Sequence, residues 1–290
     1  MTAERRSVLT SVEEAVATVE DGMTVGIGGA VTAGHPMALV RALARRGVRD
    51  LTVMAPTGGI EVDLLIAAGC VRTVYGSYVG LEAVAGVCPV FRAAAEAGDI
   101  EVRDLDEAHC VLALRAAAQG LPFLPWRGGV GTSFPQLNPA LVEFDDPVSG
   151  EPLLAVPALH LDVALVYAET ADEYGNAQVV GTGHMDGLLG SAADRVILQT
   201  DRVVSNDVIR QRPERTWYWR DTRVVRVPFG THPYSSGSMV ADLDHLRDYV
   251  RAAKAGGEAF DDYLQRHVHA EDHDAYLEAV GIRRIASLLI

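Results

Sequence analysis

The chain has 290 residues, of which 49% are apolar, and a net charge of −14. That supply of apolar side chains is enough for a sizeable core, and the length allows one large α/β domain or two small ones; the simplest division is a single domain over residues 1–290. The acidic balance argues against nucleic acid or an anionic membrane as the main partner. The three cysteines, Cys70, Cys88 and Cys110, include no Cys-x-x-Cys, which argues against a disulfide scaffold or a thiolate metal site and fits a reducing cytoplasm.

The opening segment carries charge but no apolar run, so neither a signal peptide nor a membrane span is expected. Ser11 and Glu14 form a capping box that starts the helix "VEEAVATVE". "MTVGIGG" reads as a short buried strand. "PMALVRALARRG" follows as a helix, with Pro36 in its first turn and Gly47 as its stop. "DLTVMA", "VRTVYG" and "IEVRDL" are further strands. "VDLLIAAG", "PVFRAAAEAG" and "DEAHCVLALRAAAQG" are the helices between and after them. Four strand–helix alternations with short joints predict an open, mostly parallel, doubly wound sheet.

Between residues 120 and 157 this alternation stops, and "LPFLPWRGGVGTSFPQLNP" and "DDPVSGEP" are rich in Pro and Gly. They are expected to be long surface or site-lining loops. "LDVALVYAE" resumes as a buried strand, "ADEYGNAQ" is a turn, and "RVILQTD" and "TRVVRVPFG" are strands. From about Asp242 the chain is expected to be a helical tail.

The segment "DGMTVGIGGAVTAGHP", residues 21–36, holds five glycines. It fails the dinucleotide fingerprint, because Val31 stands where the third small residue belongs and Asp50 precedes its strand instead of ending it. No G-K-[ST] follows, which excludes a P-loop. Gly28 and Gly29 still allow backbone N–H groups to approach a ligand closely, and a purely steric turn stands beside that reading.

Taken whole, Asp21-Gly22, the aliphatic run, Gly28-Gly29 and Gly34-x-Pro36 resemble the first signature of the class I CoA-transferases, with departures at Gly26 and Ala30. "AAAQGLPFLP", "LAVPALHLDVALVYAETADEYGNAQ", "VPFGTHPYSSG" and "HDAYLEAVGIRRIASL" are similar, in order, to segments of the glutaconate CoA-transferase-type α subunits. The resemblance implies the class I CoA-transferase fold and an acyl-CoA substrate, with no permanently bound cofactor. It also implies a β subunit in an αβ or α₂β₂ assembly, with a carboxylic acid as acceptor. The attacking glutamate of that family lies in an S-E-N-G motif on the β subunit, and this chain has no such motif. The resemblance further implies that the amides of Gly28 and Gly29 stabilise the oxyanion formed when a thioester or anhydride carbonyl is attacked.

A second resemblance is to the α subunits of steroid-ring-cleaving CoA-ester hydrolases. They carry a glutamate in a segment like "EMDEG…LPFLP", and Glu107 of "RDLDEAHCVLALRAAAQGLPFLP" stands in the matching place. In that reading Glu107 is a general base toward water. In the alternative it is one of the acids that favour a helix start. The hydrolases' "RRKP" is "AGHP" here, with His35 in place of lysine.

Substrate-binding candidates are His35, Gly58 and Gly59, Ser77 after a strand, and His232 in the loop "PFGTHPYSSG". His35 also reads as a helix-start residue and His232 as a turn residue. His267, His269, Glu271, Asp272 and His273 fit no strong zinc spacing and read as a solvated turn; no metal is expected. Cys110 beside His109 is not a dyad, since neighbours on a helix point about 100° apart, and it reads as core.

Overall fold

The computed structural model describes residues 5–181 and 183–290. Seven parallel strands make up most of its nine-stranded central sheet: β1 (Thr24–Ile27), β2 (Leu51–Met54), β3 (Val71–Gly76), β4 (Glu101–Asp104), β5 (Leu161–Asp172), β6 (Ala193–Val204) and β7 (Thr222–Arg226), with two short antiparallel segments, Ala177–Gln178 and Thr216–Trp217, beside β5. The spatial order of the seven is β7-β6-β5-β1-β2-β3-β4, and every neighbouring pair among them is parallel. The chain thus winds from β1 to one edge, returns, and winds from β5 to the other. The reversal lies between β1 and β5. Helices cover both faces, which is why the strands read as continuous apolar runs: Val25, Ile27, Val53, Val163, Leu165 and Ile197 are all buried.

The helices begin and end where the local chemistry directs. Ser11 and Glu14 form both bonds of the capping box before helix Val12–Val16. Helix Met37–Arg46 ends at Gly47 in the left-handed conformation, and Pro89–Ala97 ends at Gly98 in the same way. Asp106 caps Glu107–Ala118 by accepting the His109 N–H. The C-terminal part is helical, as expected, with Leu243–Ala255, Gly257–His267 and His273–Val280, and adds a short helix, Ile282–Ser287.

Residues 120–157 differ from the expectation of long loops. Phe123–Trp126, Val142–Asp145 and Pro152–Pro157 form a three-stranded antiparallel sheet with Pro152–Pro157 in the middle. The prolines obscured it in the sequence, yet they sit where a sheet tolerates them. Pro152 and Pro157 end the central strand, and Pro125 lies on an edge strand. No helix among the described residues is long and apolar enough to cross a membrane.

Candidate active site

In open α/β sheets ligands collect outside the carboxyl ends of the strands, at the point where the winding reverses. Here that point is the β1/β5 junction. β5 outruns its neighbour: its pairing with β1 stops at Leu165, and an antiparallel segment, Ala177–Gln178, takes up the same edge only at Thr170. Tyr167 and Glu169 lie in the uncovered stretch between. A cavity of about 270 Å³ opens over it, lined by the 29–34 loop, Tyr167, Glu169, Val179, Val180, Asp186 and residues 235–237. The 29–34 loop is fastened to the opposite wall by Gly34 N–H to Ser235 O and Ser235 N–H to Thr32 O.

Two carboxyl groups reach this cavity. Asp186 opens helix Asp186–Ala192 and is only 5% exposed. Its Oδ1 accepts the Gly29 N–H at 2.7 Å. Burial pushes its carboxyl up to about 7; Gly29 and His35 work against that shift, and Glu169 adds to it. Glu169 is 7% exposed and accepts N–H groups from Val180 and Gly237 at 2.8 and 3.0 Å. Burial raises it above the ordinary carboxylate range despite those two bonds. Neither acid stood out in the sequence, where each reads as an ordinary element-end residue. Trp217 holds the start of the 186–192 helix in place by packing on Gly183 and Gly187.

The pair Gly28-Gly29 lies at this site, but the two amides differ. The Gly28 N–H continues the sheet ladder to Leu165 O at 2.9 Å, so it is not an oxyanion donor; this corrects the expectation for Gly28. The Gly29 N–H points the other way, into the cavity, toward Asp186. Both glycines are sterically required. A Cβ on Gly28 would overlap the Asp186 carboxyl, and one on Gly29, whose φ is +97°, would overlap the His35 ring.

A parallel sheet whose winding reverses beside a glycine loop supports many chemistries, and sequence comparison narrows the choice. The profile of the coenzyme A transferase family matches residues 9–219. The chain belongs to that family. A cholesterol ring-cleaving hydrolase IpdA subunit of Mycobacterium tuberculosis is 40% identical over 84% of this chain and 87% of its own length. A glutaconate CoA-transferase subunit of Acidaminococcus fermentans is 29% identical over 94% of this chain and 91% of its own. The crystal structure of the Acidaminococcus glutaconate coenzyme A-transferase superposes with a TM-score of 0.91, covering 98% of this chain and 96% of that one. An uncharacterised Archaeoglobus fulgidus protein is 35% identical over 96% of this chain, which spans 65% of that relative's length.

Within this CoA-transferase-family chain, most of the other expected site residues lie outside the cavity. His35 is 1% exposed and sits behind Gly29, its Nδ1 3.3 Å from Glu61 Oε1 and its ring 4.2 Å from that of Tyr234. It supports the loop and does not reach a ligand there. Burial alone would raise the Glu61 carboxyl, but His35 and the Gly59 and Glu61 backbone N–H groups outweigh it and hold it below its usual value. Gly59 donates to Glu61, Gly58 donates to Tyr78 O, and the Ser77 hydroxyl donates to Pro56 O. These groups tie the β2 and β3 exits together and are not free to bind substrate in this arrangement. Glu107 is exposed on the first turn of its helix, beyond β4. Glu107 does not line the cavity, but its helix packs back over the sheet against helix Asp186–Ala192.

His232 is fully buried and also lies outside the cavity. Its Nδ1 is 2.6 Å from the Tyr276 hydroxyl and its Nε2 is 3.1 Å from Asp242, which also takes Arg284. His232, Asp242 and His245 bring ligand-type atoms within 4.8 Å of one another. Their hydrogen bonds are already committed, however, and Arg284 supplies the positive charge that Asp242 needs. The 267–273 segment is not uniformly solvated. His267 and His273 pack on His245 and Tyr276, while His269, Glu271 and Asp272 are exposed. Cys110 is buried, and burial, then Asp106 and Glu107, push its thiol up to about 12, so it is core and not a nucleophile.

Proposed function

We propose that this chain is the α subunit of a cytoplasmic CoA-transferase. It moves CoA between an acyl-CoA donor and a carboxylic acid, and works with a β subunit that carries the glutamate nucleophile. The observation that carries the reading is the cavity of about 270 Å³ at the β1/β5 junction, lined by Gly29 and by Asp186, the carboxyl to which the Gly29 N–H donates. An attacked acyl carbonyl needs such a preorganised donor. The chain supplies no S-E-N-G segment, so the nucleophile comes from elsewhere. An αβ pair, or its α₂β₂ doubling, accounts for that. Exposed Leu121, Phe123, Trp126, Leu137, Val142 and Val148, all between residues 121 and 148, give a partner apolar surface to cover.

A second reading is favoured by two observations. Glu107 stands exposed at the start of its helix, and the 40% identical relative is a ring-cleaving hydrolase subunit. In that reading Glu107 is the base that activates water. The helix that Glu107 opens packs against helix Asp186–Ala192, whose first residue lines the cavity, so chemistry separates the two readings. Changing Glu107 to Gln in the purified αβ complex decides between them. Transfer activity kept within a few-fold supports the transferase, and near-complete loss supports the hydrolase.

A further inference from the structure

The sheet withdraws Gly28 from the oxyanion site and leaves the Gly29 amide with one neighbour, the Asp186 carboxyl. We propose that Asp186, in its neutral acid form, is a catalytic hydrogen-bond donor that shares the acyl oxygen with the Gly29 N–H. This inference rests on the acyl-CoA reading of the same cavity.

The geometry carries it. Asp186 Oδ1 lies 2.7 Å from Gly29 N, which is the position that an acyl oxygen held by that amide would take. Asp186 lines the cavity while 95% of its surface is covered, the complement of its 5% exposure. Its hydrogen bond to the Gly29 N–H uses Oδ1 and not Oδ2. The carboxyl fills the space beside Gly28 that a side chain there would occupy, with Oδ1 nearest. Among the described residues no lysine or arginine lines the cavity to pair with an ionised Asp186. Its titratable surroundings are Glu169 across the cavity, Tyr167 on the same strand, which donates to Asp201, His184 on the preceding loop, and His35 behind Gly29 with Glu61 beyond it. Burial pushes Asp186 up to about 7, so the neutral acid is abundant near neutral pH. A carboxylic acid kept neutral by its surroundings is an effective oxyanion donor.

The step balances without a net proton transfer. The partner's glutamate oxygen bonds to the thioester carbon, and the carbonyl π pair moves onto the acyl oxygen. That oxygen displaces Oδ1 from the Gly29 N–H and accepts the Asp186 O–H. When the C–S bond breaks, its electron pair leaves on the CoA sulfur and the carbonyl reforms. The proton stays on Asp186 throughout.

The test uses the αβ complex and an acyl-CoA that the wild type turns over, with kcat and KM measured between pH 5.5 and 9. Wild-type kcat should fall as pH rises through about 7, because the donated proton is lost. Asp186→Asn donates an N–H at every pH. It should lose that fall and keep kcat within roughly tenfold, since a donor is retained. Asp186→Leu should lose about 100-fold or more in kcat with little change in KM, the usual cost of removing one oxyanion donor. A purely structural Asp186 would instead lower the melting temperature of both variants and leave the pH profile in place. An Asn variant that keeps the wild-type fall, or a Leu variant within a few-fold of wild-type kcat, overturns the proposal. If the Leu variant fails to fold, the Asn pH profile decides alone. A wild-type complex inert toward every acyl-CoA removes the acyl-CoA reading and this proposal with it, whereas variant results in an active complex touch only Asp186.

Discussion

Gly29 donates its backbone N–H to the Asp186 carboxyl at 2.7 Å, across 157 positions of sequence. The contact joins the loop after the first strand to the helix after the fifth. It forms only because neither Gly28 nor Gly29 has a side chain: Asp186 fills the space beside one, and His35 the space beside the other.

Gly29→Ala therefore meets two penalties, a φ of +97° and overlap with the buried His35 ring. The expected loss is about 2 kcal/mol or more, read as a lowered urea midpoint at unchanged slope. Gly28→Ala leaves the backbone conformation allowed but drives the Asp186 carboxyl out of its place. Its expected signature is a smaller stability loss with a larger loss of acyl-CoA turnover.

Asp242 joins the C-terminal helices to the sheet's loops. It accepts the His245 N–H, contacts His232 Nε2, and takes two bonds from Arg284. Burial would raise its carboxyl, but Arg284 and His232 hold it far below the ordinary range. Asp242→Asn should cost about 2 kcal/mol, at the low end for a broken buried pair because Arg284 is part-exposed. The sign follows from the depressed pKa. The Asp242 contribution is complete above the unfolded pKa of about 4 and is lost as pH falls below it. Chemical denaturation between pH 2.5 and 5 should show a steep acid loss in the wild type and a shallower one in the variant.

Asp63 acts with the opposite sign. It lies inside the helix Ile60–Ala67, accepts from Tyr249 Oη and from the Val90 and Phe91 N–H groups, and burial pushes it up to about 6. A raised carboxyl holds its proton longer when folded than when unfolded. Its contribution to stability is therefore greatest below about pH 4 and declines as pH rises toward 6. Asp63→Asn should flatten the stability profile between pH 4 and 6.5, measured by urea midpoints.

The mostly parallel α/β class was legible because buried parallel strands and capped helices carry local signals: the Ser11–Glu14 capping box, the Gly47 and Gly98 stops, and apolar runs such as "LDVALVYAE". The 123–157 sheet was not, because its prolines imitate loop composition. The candidate site was half legible. The glycine loop announces a close approach, but which amide faces the cavity depends on the register of Gly28 with Leu165, a contact between distant strands. Asp186 reads as a helix-start acid and His232 as a loop histidine, and only the tertiary fold makes the first a cavity residue and the second a buried one. The histidine that the sequence offered as a ligand, His35, became a support because the loop turns its ring toward Glu61 and Tyr234.

The central claim is that this chain holds half of an acyl-CoA site. Its most direct test is CoA exchange between an acyl-CoA and a labelled carboxylic acid, measured for the chain alone, for the isolated β subunit and for the purified pair. The account predicts no turnover by either one alone, and label appearing in acyl-CoA with the pair. Release of free CoA at the same rate whether or not an acceptor acid is present, with no label in the thioester, would contradict it.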